Sequence, residues 1–79
     1  MRKKNRWVWQ ARNTREWFWV EKKGERFFSS RWITCADAVR IIQGKKPMPE
    51  TCVELDDINC FEPVSNEVIE LLKRAIDKL

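Results

Sequence analysis

Between Trp7 and Trp32 the chain reads WVWQARNTREWFWVEKKGERFFSSRW, a stretch that holds all five tryptophans and three of the four phenylalanines. Aromatic and β-branched residues fit a pleated, half-buried surface better than they fit a helix. Two polar interruptions, Arg12-Asn13-Thr14-Arg15 and Lys22-Lys23-Gly24-Glu25, divide the run as turns do. The pattern predicts three antiparallel strands in a meander, over 6–12, 15–22 and 25–31.

Two-residue turns centred on Asn13-Thr14 and Lys23-Gly24 fix a register, because each pair supplies a residue that tolerates positive φ. The first hairpin then pairs Trp7 with Val20, Val8 with Trp19 and Trp9 with Phe18. The second pairs Lys22 with Glu25, Glu21 with Arg26, Val20 with Phe27 and Trp19 with Phe28, two charge pairs followed by two apolar ones. Side chains alternate with a period of two, so this register predicts two unlike faces. Trp7, Trp9, Ala11, Phe18, Val20 and Phe27 form the expected core side. Gln10, Arg12, Arg15, Trp17, Trp19, Arg26 and Phe28 form the other, which mixes cations with flat rings.

Two helices follow. Thr34 is the expected N-cap of a short one, with Asp37 placed for a capping box, Gly44 for the C′ position, and Cys35, Ala38, Val39 and Ile42 on one stripe. Lys45-Lys46-Pro47-Met48-Pro49 is a stiff connector, residues 51–55 suit a short fourth strand on the sheet edge, and Asp56 to Glu62 read as an acidic loop. The last helix runs from Asn66 to about Lys78, with Ser65 as N-cap and Val64 stapled against Ile69. Its stripe is Val68, Ile69, Leu72, Ala75, Ile76 and Leu79, widened by Leu71, and it is expected to complete the core. The chain thus reads as one small α+β domain over residues 1–79, a three-stranded antiparallel meander with a possible short fourth strand, packed with a short helix and a longer C-terminal one.

Net charge is +4, unevenly spread. Residues 1–47 carry thirteen Lys/Arg against four Asp/Glu, +9, and residues 48–79 carry three against eight, −5. This asymmetry points to an anionic partner at the basic end, or to an acid–base match within the fold. Residues 1–6, MRKKNR, form a basic arm, either solvated or neutralising phosphates. Cys35, Cys52 and Cys60 are odd in number and unclustered, and no histidine exists to complete a zinc site, so buried reduced thiols and no metal or other cofactor are expected. Glu54, Asp56 and Asp57 read as solvated loop acids rather than a metal centre. No signal-peptide apolar run and no span of membrane-crossing length is present, which points to a cytoplasmic protein without a membrane partner.

With no histidine and no glycine-rich phosphate loop, catalytic machinery is not evident, and a binding module is expected. The first candidate function is nucleic-acid binding through the Arg/Trp face. Arg6, Arg12, Arg15 and Arg26 would meet phosphates or guanine edges, Gln10 would read adenine, and Trp17 and Trp19 would give flat contact. The alternative is a protein-binding adaptor or inhibitor, of the small kind phages and plasmids encode, acting through an exposed aromatic patch. A different packing, with Trp17, Trp19 and Phe28 beneath the C-terminal helix, would cover that face. Oligomeric state is open.

Trp32, Thr34, Asp37 and Ala38 stand where an aromatic, a threonine two later and an acid–alanine pair mark the passage from third strand to helix in known DNA-binding domains. Over residues 6–44 the chain resembles the plant ethylene-response-factor domain and the arm-binding domains at the N-termini of phage and transposon integrases. It departs from them in having Ser30-Arg31 where a glycine usually precedes the aromatic, and in lacking their run of arginines on the first strand. The outline also resembles small bacterial domains of unknown function. The DNA-binding resemblance implies a sheet laid in the major groove, with arginines and tryptophans of the exposed face touching bases and phosphates.

Overall fold

A computed structural model describes residues 5–78. Of the expected basic arm, residues 1–4 lie outside the described residues, as does Leu79, while Arg6 opens the first strand. The elements are β1 (Arg6–Ala11), β2 (Trp17–Lys23), β3 (Arg26–Ile33), α1 (Cys35–Ile42), β4 (Val53–Glu54), a 3-10 turn (Ile58–Cys60), β5 (Phe61–Pro63) and α2 (Asn66–Asp77). The strands form one antiparallel sheet in the order β4-β3-β2-β1-β5. The α+β architecture, the meander, the edge position of β4 and both helices agree with the sequence pattern. β5 replaces part of the expected acidic loop. It is three residues long with Pro63 on the outer edge, too short for alternation to reveal it.

The first hairpin keeps the expected register: Trp7 pairs with Val20, Val8 with Trp19 and Trp9 with Phe18. Its loop is longer than two residues, however. Ala11 and Glu16 close it, Arg15 N–H donates to the Ala11 carbonyl at 2.9 Å, and the positive φ falls on Arg15 at 67° rather than on Asn13.

The second hairpin corrects the expectation by two residues. Lys23 pairs with Arg26, Lys22 with Phe27, Glu21 with Phe28 and Val20 with Ser29, so the turn is centred on Gly24-Glu25. Gly24 has φ +64° and Glu25 is not in the left-handed region, the pattern of a turn that wants glycine first rather than second. The pairs Lys22–Glu25, Glu21–Arg26, Val20–Phe27 and Trp19–Phe28 are therefore not formed; a shift of two leaves face parity intact. A bulge then puts Ser30 and Arg31 opposite Trp19, and Phe18 meets Trp32 and Trp17 meets Ile33. The backbone N–H of Trp19 donates at 3.0 Å to the Ser30 hydroxyl, which itself donates to the Arg31 carbonyl. This side-chain bridge carries β3 two residues past its expected end.

Both helices pack on the same side of the sheet. Val8, Trp17 and Trp19 cluster with Ala38 and Ile41 of α1, with Ile69 of α2, and with Val64 just before it. Trp17 and Trp19 are 9% and 4% exposed. The expected faces are thus exchanged: the side assigned to binding is the core, and the side assigned to the core carries no helix. Thr34 accepts from the Asp37 N–H, Gly44 at φ +80° follows the C-cap of α1, and Ser65 accepts from the Val68 N–H at the start of α2. The Asp37 carboxylate takes Lys46 Nζ at 3.0 Å. Ile41, not Cys35, joins the buried stripe of α1. All three cysteines are free and exposed rather than buried, because Cys35 lies at the first turn of α1, Cys52 in the connector just before β4, and Cys60 at the end of the 3-10 turn just before β5.

Candidate binding face

On the side without helices, two rows of side chains run across the sheet. Pro63, Trp9, Phe18 and Trp32 come from β5, β1, β2 and β3, and Trp7, Val20, Ser29 and Val53 come from β1 to β4. The rings lock together diagonally. Trp9 meets Phe27 edge to face at 5.9 Å, reaching across β2, and Phe18 meets Phe61 the same way at 5.7 Å, reaching across β1. Small side chains lie below these contacts. Val20 is 2% exposed, and Ala11 and Ser29 are buried too, although both helices are on the opposite side. Large rings over small residues give a self-covered aromatic layer, with a shallow recess of about 160 Å³ between Trp9, Val20, Phe27 and Lys22. Lys22 Nζ stands 5.8 Å from the Phe27 ring centroid, near enough for a cation–π attraction.

Trp32 is the outlier of this layer. It is 59% exposed at the end of the first row, and Val53, at the end of the second, is exposed as well. Trp7 turns to the other side: its Nε1 donates to the Val64 carbonyl at 2.6 Å and its ring packs partly against the helical core.

The residues expected to touch nucleic acid do not converge on one open surface. Trp17 and Trp19 are in the core. Arg6 lies 3.3 Å from Glu21, and Arg26 lies 3.5 Å from Glu54. Arg12 bridges to Glu62 at 3.1 Å and donates to the Asn59 carbonyl, tying the first loop to β5 and to the 3-10 turn before it. Gln10 donates to the Arg15 carbonyl, and Arg15 sits exposed in the loop. Each of these arginines is itself exposed, so the ion pairs hold geometry more than they add stability. Glu21 is held below the ordinary carboxylate range, first by the hydrogen bond from Thr51 and then by Arg6. Asp37 is lowered in the same way by Lys46.

Trp9, Phe18, Phe27, Trp32 and Phe61 are the rings that the sequence pattern did not assign to binding. Face parity was readable, but both faces carry large apolar side chains on β1 and β2, and the side chosen by the helices depends on the bulge at Ser30-Arg31. Among the described residues, no three His, Cys, Asp or Glu side chains converge to hold a metal, and no helix is long and apolar enough to cross a membrane. Comparison with protein families, with curated proteins and with solved structures gives no match.

Proposed function

We propose that this protein is a non-catalytic binding module that takes a protein partner on its helix-free aromatic face. The reading rests on one observation: five rings lie on the side of the sheet away from both helices, and the indole at the end of their row is 59% exposed. Contiguous apolar surface of this kind marks an interaction site, and interlocked rings are pre-ordered, so little side-chain freedom is lost on binding. Trp32 and Val53 are the anchors, and Arg31 and Lys22 belong to the polar rim. The test is capture from a nuclease-treated lysate by the native protein and by its Trp32→Glu and Val53→Lys variants. One stoichiometric polypeptide, held through high salt by the native chain and lost by both variants, is the expected result. Equal capture by all three contradicts it.

A second reading is favoured by the charge of residues 1–47, +9, which includes the three central strands. On this reading a single-stranded nucleic acid stacks its bases on Trp9, Phe18 and Trp32 rather than on Trp17 and Trp19. It keeps the function implied by the DNA-binding resemblance but moves the contact to the other side of the sheet. Tryptophan quenching on oligonucleotide titration, with affinity falling steeply with salt and lost in Trp32→Glu, is its signature.

A further inference from the structure

The core stripe of α2 is narrower than its apolar content. Ile69 is buried and Leu72 and Ile76 are half-buried, whereas Val68 is 40% and Leu71 64% exposed, and Ala75 is exposed beside them. Val68, Leu71 and Ala75 are spaced three and four apart, the spacing of a seam that meets another helix. Glu67 and Arg74 flank this seam on its outer side, four residues before and three after Leu71, and line a shallow recess with it. Neither side chain has a hydrogen bond or ion pair among the described residues; the side-chain pair on this helix is Lys73 with Glu70, at 3.6 Å. Seven residues of helix separate Glu67 from Arg74 by about 10 Å along the axis, too far for them to satisfy each other.

We infer that α2 is the interface of a symmetric dimer, with the α2 of a second copy lying antiparallel across Leu71. The charge order selects this occupant. The midpoint between Glu67 and Arg74 falls between Glu70 and Leu71, so a two-fold axis there sets Leu71 against its own copy. Glu67 then meets the second copy's Arg74, and Arg74 meets its Glu67. A self-complementary patch of this kind is what a two-fold contact requires. Val68 and Ala75 close the seam on either side of the axis. Leu72, half-buried at the margin of the core, continues the apolar strip into the fold. One helix pair is small beside a stable interface, so the dimer forms at high micromolar concentration and exchanges rapidly. It uses the opposite side of the molecule from the aromatic layer, and both surfaces are available together.

Sedimentation velocity of the full chain, from micromolar to millimolar concentration, tests this. The native protein shifts from monomer to dimer, and Leu71→Asp remains monomeric with an unchanged circular dichroism spectrum. Glu67→Arg and Arg74→Glu each place like charges at both contacts, and each weakens self-association about tenfold. The first variant is basic at both flanking positions and the second is acidic at both. Mixed in equal amounts, they therefore set opposite charges against each other at both contacts, and they associate about as well as the native chain. Trp32→Glu dimerises normally. A monomer throughout the range, a dimer indifferent to Leu71→Asp, or a mixture no tighter than its two components overturns the inference.

Discussion

Trp9 on β1 and Phe27 on β3 meet edge to face above the strand between them, with ring centroids 5.9 Å apart and planes at 61°. Val20, the residue they cover, is as buried as the helical core while both helices lie elsewhere. Edge-to-face aromatic pairs contribute about 0.5–1.5 kcal/mol beyond the area they bury. A double-mutant cycle with Trp9→Leu and Phe27→Leu, followed by urea unfolding, is expected to show a coupling in that range. Additive effects would mean that the two rings do not touch in solution.

The bulge rests on a hydroxyl. Ser30→Ala leaves the buried backbone N–H of Trp19 without its 3.0 Å acceptor, and an unsatisfied buried donor costs about 1–3 kcal/mol. Urea unfolding is expected to show a loss of this size. An effect below about 0.5 kcal/mol would show that the ladder closes without the serine.

Two carboxyls give the fold an acid-sensitive component. The ordinary values are 4.5 for Glu21 and 3.8 for Asp37, and both are lowered in the folded chain. A group of this kind contributes stability that is fully present above its unfolded value and is lost as pH falls through its folded value. The urea midpoint is therefore expected to hold steady from about pH 7 to 5 and to fall once pH drops below the ordinary Glu21 value of 4.5. In Thr51→Val, which removes the first cause of the Glu21 shift, the Glu21 carboxyl should titrate higher by NMR. An unchanged Glu21 titration would place Thr51 away from it.

The helices and the first hairpin were legible because their signals are local. Thr34, Gly44 and Ser65 act within one turn of their own backbone, and the Trp7–Val20 register follows from the polar loop between two alternating runs. Gly24 announced a turn but not its place within it, and this ambiguity moved the second hairpin by two residues. The side on which the helices lie is decided at a distance. Only after Ser30 and Arg31 share one partner does Ile33 stand opposite Trp17, with Thr34 beginning α1 at once. A serine within a strand does not by itself announce a bulge, so Trp17 and Trp19 read as surface and Trp9 and Phe27 as core. The exposed cysteines depart from expectation for a related reason: thiols bury readily, but these three fall outside the packed stripe and strands.

Paramagnetic relaxation of the five indole N–H resonances by a soluble gadolinium chelate compares the two faces in the unmodified protein. The resonance of Trp32 is expected to broaden first, and those of Trp17 and Trp19 to stay sharp beneath the helices. Broadening of Trp17 and Trp19 with Trp32 protected would place the helices on the other side of the sheet and remove the aromatic binding face.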